Sequence, residues 1–447
     1  MLYKNFSVIT SKKIGAFNKK IVVDSDKSIS IRSFLIGAIS NDVSLIKNVL
    51  ESEDVFSAIS CLKKLGILIK RIKSGQYLIF GRGLGSLSAQ KNMVLNAGNS
   101  GTLARLLIGI LSTTPNIYLK IRGDKSLNKR SMLSLINLMN EFGAEFLPKN
   151  KFNFPLTIIS SNLPVGITYK AGTSAQLKSA AILAGLNAYG TTTVIEKEKS
   201  RNPTENILLK SKGVLNIKKN IIKINGKKYL SPLKLNVPGD PSSAAFFVAL
   251  TLFTKNSNLY IKKVGLNDRR IGFYKLLKKH GAKITFKNLK KNNNETIGDI
   301  IIKTSKLKPL KASASYYPST TDEYVILLIC AALIPGVSVF KGISDLSNKE
   351  SSRAYEIKKI LKQIGIKSKL TKNEMKIFGI KKIKKINKIV TVPNLGDHRI
   401  CMATMCLSLI TGIKSNIKNF DTVNTSCPSF LKIIKNLGGK FEIKKAL

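Results

Sequence analysis

Tryptophan is absent from the 447-residue chain, and the only histidines are His280 and His398. A metal or catalytic centre built from several imidazoles is therefore excluded by count. Aromatic residues make up 7% of the chain, which leaves few stacking platforms for single-stranded nucleic acid. The five cysteines, Cys61, Cys330, Cys401, Cys406 and Cys427, are odd in number and show no paired spacing. Neither a disulfide framework nor a zinc site is expected, and a reduced, cytoplasmic protein is. The longest apolar run, Val325 to Ile334, falls well short of the ~20 residues that span a bilayer. The opening string MLYKNFSVITSKKIGAF has no apolar signal core, so no membrane partner is expected. Walker A, H-E-x-x-H and G-x-S-x-G strings are missing. The glycines of GRGLGSL, residues 81–87, lack the dinucleotide-binding spacing and read as a turn between strands.

Acidic residues are also scarce: 25 Asp+Glu stand against 75 Lys+Arg, a net charge of +50. Such a chain attracts anions, whether nucleic acid, membrane or small phosphorylated substrates. Lysine is spread among many Ile and Asn residues whose codons are A/T-rich, so genome composition accounts for the charge equally well. With 43% hydrophobic and 22% charged residues, the composition is that of a globular protein. The length gives room for two or more domains with real cores.

What is present is a repeat. A helix tail ending in glycine and leading into an alternating strand occurs six times, as CLKKLGILIKRI, LMNEFGAEFL, LLKSKGVLNIKK, LLKKHGAKITFK, ILKQIGIKSKL and IIKNLGGKFEIK. Glycine closes such tails because it adopts the left-handed cap conformation without steric cost. The marker glycines, Gly66, Gly143, Gly213, Gly281, Gly365 and Gly438, recur about every 70 to 80 residues, the period of a duplicated supersecondary unit. A second marker keeps step, a polar cluster that opens a strongly apolar helix: KSISIRSFLIGAI, GNSGTLARLLIGIL, TSAQLKSAAILAGL, GDPSSAAFFVALTLF, TTDEYVILLICAAL and GDHRICMATMCLSLI. Each unit thus reads as a buried helix, a polar loop, an amphipathic helix and short strands. Three units per domain give an α/β protein with two domains of three repeats, joined near Pro238-Gly239-Asp240. Residues 1 to 25 precede the first unit and can pair with either half.

The start of a helix leaves N–H groups unpaired and carries partial positive charge, so the six polar openings are candidate anion sites. Simple N-capping needs the same residues, and for GDPSS it is the favoured reading. Openings with a cation beside the cap point further: Lys27 with Arg32, Arg105 after Asn99, and His398 with Arg399. Loops add Lys125, Lys129 and Arg130, then Arg201, then Lys349, Glu350 and Arg353. The stretches KKIKKINK (381–388) and KNLKKNNNE (287–295, a loop) read as solvated surface. His280, in a helix tail, suits a surface or helix-dipole role, whereas His398 is the better functional candidate.

Taken in order, DKSISIRS, GNSGTLARLL, GDKSLNKRSM, TSAQLKSA, SRNPTE, PGDPSSAAFF, DEY, KESSR, DHRI and TSCPSF resemble the strings of the EPSP synthase (3-phosphoshikimate 1-carboxyvinyltransferase) family, across nearly the whole chain. The resemblance implies an inverted α/β barrel pair around a cleft. Domain I would hold residues 1–24 and 240–447, and domain II residues 25–239, with hinges near 22–26 and 236–241 that close on the acceptor. It implies transfer of the enolpyruvyl group of phosphoenolpyruvate to the 5-hydroxyl of shikimate 3-phosphate, releasing phosphate, with no metal or organic cofactor. The expected partners are these two anionic small molecules, without nucleic acid, and a monomer is expected.

Residue by residue, the resemblance makes Asp322 the base on the 5-hydroxyl and Glu350 the acid at C3, with Lys27 reaching the reacting centre. Shikimate 3-phosphate would be held by Lys27, Ser28, Arg32, Ser174, Ala175, Gln176, Arg201, Asp322 and Lys349. Phosphoenolpyruvate would meet Lys27, Asn99, Gly101, Thr102, Arg130, Gln176, Arg353, His398 and Arg399. Gly101, where tolerant members carry Ala, implies sensitivity to glyphosate. Departures from the family strings are Asp24-Ser25 for Pro-Gly, Ser131 for Pro, Asn202-Pro203 for Asp-His, Ser352 for Asp, and Thr425 for a Lys. A related family, the UDP-N-acetylglucosamine enolpyruvyl transferases, would show Lys-Asn at Lys27-Ser28 and a reactive loop cysteine, and neither is present. A basic nucleic-acid-binding α/β protein is the reading from another class, disfavoured by the dispersed lysines and few aromatics.

Overall fold

A computed structural model of the chain describes residues 5–292, 294–381 and 388–445, so most of the lysine string 381–388 lies outside the described residues. The chain divides into two compact units. An inserted unit comprises Ser25–Pro238 with Lys291–Glu295, and a flanking unit comprises Met1–Asp24, Gly239–Lys290 and Thr296–Leu447. Each unit has its own apolar core.

The six apolar strings form helices at Lys27–Ile39, Gly101–Ser112, Ala175–Gly185, Pro241–Phe253, Tyr324–Ala332 and His398–Thr411. They are apolar nearly all round and buried along nearly their whole length, because no face is suited to water. The second helix of a repeat buries mainly one side, as in Glu53–Lys64, where Val55, Ala58, Cys61 and Leu62 are buried; the short Pro203–Leu208 of the third repeat is instead buried at every residue. All six marker glycines adopt positive φ, between 74° at Gly365 and 102° at Gly281, the cap conformation their position requires.

The strands are more regular than the sequence suggests. Each repeat contributes to one four-stranded sheet, and six such sheets form. In four of them, the strands before and after the buried helix pair in parallel, as Val94–Asn96 does with Tyr118–Arg122. A crossover helix is what parallel neighbours need. Two antiparallel strands complete the sheet. Three sheets are finished by strands remote in sequence. Lys234–Asn236 supplies the parallel strand of the first repeat, Asn18–Val22 that of the fourth, and Phe6–Thr10 sits between Ser415–Ile417 and Glu442–Lys445 in the sixth. The N-terminal segment therefore belongs to the flanking unit.

Two readings change. Residues 287–295 are not a loop: they lie mainly in the strands Lys283–Asn292 and Glu295–Lys303, which stay largely exposed on the first and become buried on the second. Lysine and asparagine alternation suits an edge strand with solvent on one face. His280 is a latch rather than a free surface group. Its Nδ1 lies 2.8 Å from the Leu276 carbonyl oxygen, and Nε2 accepts from the Lys311 amide at 3.1 Å. The GRGLGSL string forms a turn with Gly83 and Gly85 at positive φ. All five cysteines are buried free thiols, and burial pushes the Cys61 thiol up to about 11.

Two packing details set the geometry of the functional strings. Helices Gly101–Ser112 and Ala175–Gly185 touch backbone to backbone at Gly109, where an added Cβ would sit 2.7 Å from the Ala180 carbonyl oxygen. Further along, Glu51 gathers a hairpin onto the start of helix Glu53–Lys64. Its carboxylate accepts from Arg71 Nε and Nη2 (2.8 and 2.9 Å), from Ser74, from the Gly75 amide and from Tyr77. These bonds, the Arg71 pair foremost, hold its carboxyl down at about 2 against burial. A lowered carboxyl stabilises the fold above its ordinary value near 4.5 and loses that contribution as pH falls towards 2. Glu51→Gln is expected to cost about 1 kcal/mol at pH 7 in urea unfolding, and the gap from wild type should shrink below pH ~4.5. A gap independent of pH from 7 down to 3 would refute the assignment.

Candidate active site

In the inserted unit, the first buried helix begins at Lys27, behind an Asp26 N-cap that accepts from the Ile29 amide at 2.8 Å. Lys27 Nζ pairs with Asp54 Oδ2 at 2.9 Å, both side chains being largely buried. Asp54 sits in the first turn of helix Glu53–Lys64, directly after the Glu51 cluster, so the hairpin clamp also fixes the partner of Lys27. Sequence reading missed Asp54; the only signal was an acidic pair at a helix start. One turn on from Lys27, Arg32 is 3% exposed. Its guanidinium donates to Thr204 Oγ1 (2.8 Å), Ser179 Oγ (3.2 Å) and the Ser28 carbonyl (3.1 Å).

Ser100 caps the second buried helix, which starts at Gly101. The Asn99 amide nitrogen donates to Asp124 at 2.7 Å, and its oxygen accepts from Arg130 Nη2 at 3.3 Å. A Cβ on Gly101 would stand 2.7 Å from Arg105 Nη1 and 3.0 Å from Arg130 Nη1, so two guanidinium groups crowd this helix start. Ser174 caps the third buried helix and accepts from the Leu177 amide, with Ala175 and Gln176 in its first turn. Gln176 donates to Thr102 Oγ1 (3.0 Å) and accepts from Arg105 Nη1 (3.1 Å). The close approach at Gly109 brings these two helix starts together. Arg105 thus joins a constellation in which the sequence had noted it only as a cation beside a cap. Arg201 stands half-buried just before helix Pro203–Leu208.

The flanking unit carries the second constellation. Arg353, 1% exposed, is the first residue of its helix and the hub of three carboxylates. Nε lies 2.9 Å from Asp397 Oδ2, Nη2 pairs with Glu350 Oε2, and Nη1 is 3.7 Å from Asp322 Oδ1. Burial alone would weaken its hold on the proton; Asp397 and Glu350 more than reverse that, so its proton is held more tightly than on a free guanidinium. Asp322 also faces Arg399 Nη2 at 3.6 Å and is the most open of the three. Asp397 is the N-cap of the last buried helix, accepting from the Arg399 amide, and His398 is buried beside it. Lys349 Nζ lies 2.5 Å from Asp345 Oδ2, which also accepts from Tyr317 at 3.0 Å. Asp397, unassigned from sequence, proves central because one carboxylate both caps the helix and orients Arg353.

The remaining openings fit capping. Asp240 accepts from the Ser242 amide, Ser242 Oγ donates to Glu323, and Arg270 Nη2 reaches Asp240 and Ser242 at 3.3 Å. Thr425 is buried in a 3₁₀ turn, its hydroxyl donating to the Thr422 carbonyl, so it offers no cation there. Among the described residues no cluster of three His, Cys, Asp or Glu is arranged to hold a metal, and no helix is long and apolar enough to cross a membrane. Chemically, the inserted unit offers fixed cations and helix starts for anions, and the flanking unit offers carboxylates charge-balanced by arginines.

Comparison with known proteins agrees with this chemistry. The family model described as EPSP synthase (3-phosphoshikimate 1-carboxyvinyltransferase) matches residues 11–434. A 3-phosphoshikimate 1-carboxyvinyltransferase of Petrotoga mobilis is 38% identical over 423 residues, covering 94% of this chain and 97% of that one. The Bacillus subtilis protein of the same name is 35% identical over 430 residues, covering 96% and 99%. The solved EPSP synthase of Acinetobacter baumannii superposes with a TM-score of 0.83 at 33% identity, over 99% of this chain and 100% of that one. The matched strings, the sixfold repeat and the two constellations point one way: the chain belongs to the EPSP synthase (3-phosphoshikimate 1-carboxyvinyltransferase) family and has its two-domain inverted α/β barrel fold.

Proposed function

We propose a division of labour among the residues of this enolpyruvyl transferase, which moves the enolpyruvyl group of phosphoenolpyruvate to shikimate 3-phosphate in the shikimate pathway. The acceptor is held by Lys27, Ser28, Arg32, Ser174, Ala175, Gln176 and Arg201. Its phosphate takes the helix start behind Ser174, where backbone N–H groups and the helix dipole favour an anion, with Arg201 as the paired cation. Asn99, Gly101, Thr102 and Arg130 take phosphoenolpyruvate at the neighbouring helix start. Of the residues of the flanking unit, Lys349 is assigned to the acceptor, and Arg353, His398 and Arg399 to phosphoenolpyruvate. The observation that carries this reading is the trio Asp322, Glu350 and Asp397 around Arg353, which places two candidate proton carriers beside cations suited to an anionic substrate.

The reaction is an addition followed by an elimination. Asp322 takes the proton of the 5-hydroxyl as that oxygen bonds to C2, while Glu350 delivers a proton to C3. Charge on the tetrahedral intermediate is stabilised by the preorganised cations. The C2–O bond to phosphate then breaks, a proton leaves C3, and the enol ether re-forms. Glu350 must hold a proton for the first step. Asp54 holds the Lys27 ammonium in place for the acceptor. A monomer acting in the cytoplasm fits this reading.

Phosphate release from the purified protein is expected only when both substrates are present. Glu350→Gln should lower kcat by roughly 10²- to 10⁴-fold, and Asp322→Asn by a similar factor; either variant keeping more than half the wild-type rate sinks its assigned role. Gly101→Ala must push aside the Arg105 and Arg130 guanidinium groups, so KM for phosphoenolpyruvate should rise about tenfold with little change in KM for the acceptor. The wild type should be inhibited by glyphosate in competition with phosphoenolpyruvate; a curve flat to millimolar concentrations overturns that expectation.

A further inference from the structure

A second ionic cluster in the inserted unit takes no part in the chemistry above. Lys178 lies in the third buried helix with its side chain 0% exposed, and it pairs with Glu196 Oε1 at 2.8 Å and Glu205 Oε1 at 2.6 Å, both equally enclosed at 2% and 1%. Three buried charges of this kind add little net stability, since well-packed apolar side chains do as well or better. Their placement is more telling than their energy. Glu196 ends the strand Thr191–Glu196, and Glu205 lies on helix Pro203–Leu208. Between them runs the segment that holds Arg201. The Glu196 carboxylate accepts from the Ser200 amide (3.0 Å) and hydroxyl (3.3 Å), and Lys178 also reaches the Ser200 carbonyl at 3.5 Å.

Both ends of the Arg201 segment are thus fastened to one ammonium group. The fastening extends to the other acceptor arginine. Thr204, next to Glu205, accepts from Arg32 Nε at 2.8 Å and donates to Ser179 Oγ at 2.8 Å, and Ser179 follows Lys178 in the helix. We propose that Lys178, Glu196 and Glu205 are positioning residues that set Arg201, and through Thr204 also Arg32, at the distance the acceptor's phosphate requires. The inference rests on the assignment of Arg201 and Arg32 to the acceptor given above. None of the three touches substrate; they act through the two arginines, and an ion triad is directional where an apolar contact would let the segment slide.

The test compares Glu205→Gln and the charge-free triple variant K178M/E196Q/E205Q with wild type and Arg201→Ala, each checked for a cooperative unfolding transition. Titration calorimetry measures binding of shikimate 3-phosphate and of shikimate, and steady-state kinetics give KM for both substrates. The triple variant should bind shikimate 3-phosphate about tenfold more weakly while binding shikimate as wild type does, with KM for phosphoenolpyruvate within about twofold. Adding Arg201→Ala to the triple variant should then cost much less than it does in wild type, because the arginine is already misplaced. Should the triple variant fail to fold, Glu205→Gln carries the same comparison with a smaller shift. Unchanged binding of shikimate 3-phosphate in a folded triad variant, or full additivity with Arg201→Ala, overturns the proposal. If Arg201→Ala itself has no effect, the acceptor assignment fails instead, and the two failures are told apart.

Discussion

A helix with no polar face can meet water only at its ends, and this single constraint governs the rest of the molecule. Six such helices are buried here nearly along their length. Their first turns have unpaired N–H groups that must be satisfied, so polar residues collect at the starts, with a few buried hydroxyls such as Thr251, Thr404 and Ser408 further along. In five of the six the satisfying group is a side chain of the protein: Asp26, Ser100, Ser174, Asp240 and Asp397. Those same starts are where anions bind best. Core architecture and substrate chemistry therefore compete for one set of positions, and the functional strings are the outcome of that competition.

The constraint also explains why the arginines have so many protein partners. Arg32 and Arg353 sit at or near the openings of buried helices, 3% and 1% exposed, where an isolated charge would be prohibitively desolvated. Each is therefore surrounded by oxygens before any ligand arrives. Arg32 donates to two hydroxyls and a carbonyl. Arg353 faces three carboxylates, so its charge is already offset within the fold.

Local pattern made the repeat legible. The marker glycines, the all-apolar helices and their polar openings are short-range features, and each glycine is at the positive φ its string implies. Order along the chain carried the two sets of candidate residues. Partners remote in sequence did not show. Asp54 as the mate of Lys27, Lys178 as the fastening of the Arg201 segment, and the three donated strands each depend on contacts between residues from ~20 to ~400 positions apart, which periodicity cannot encode. The exposed strand Lys283–Asn292 looked like a loop because lysine and asparagine are poor strand formers, and its partner decided the matter. His280 is at the helix tail its string implies, with Nδ1 against the Leu276 carbonyl, but its second contact, with the Lys311 amide, leaves no trace in composition.

The donated strands have a bearing on how the polypeptide emerges from synthesis. The segment 25–238 contains all the strands of its three sheets, so its β pairing can be completed while the remainder is still being made. The strands that precede it, Phe6–Thr10 and Asn18–Val22, pair instead with partners that appear some 400 and 240 residues later, respectively. Until then they are open edges flanked by Lys12, Lys13, Lys19 and Lys20. Lysines on an open edge discourage strand-to-strand association between chains, so these four make both strands poor templates for pairing with another chain before their own partners are made.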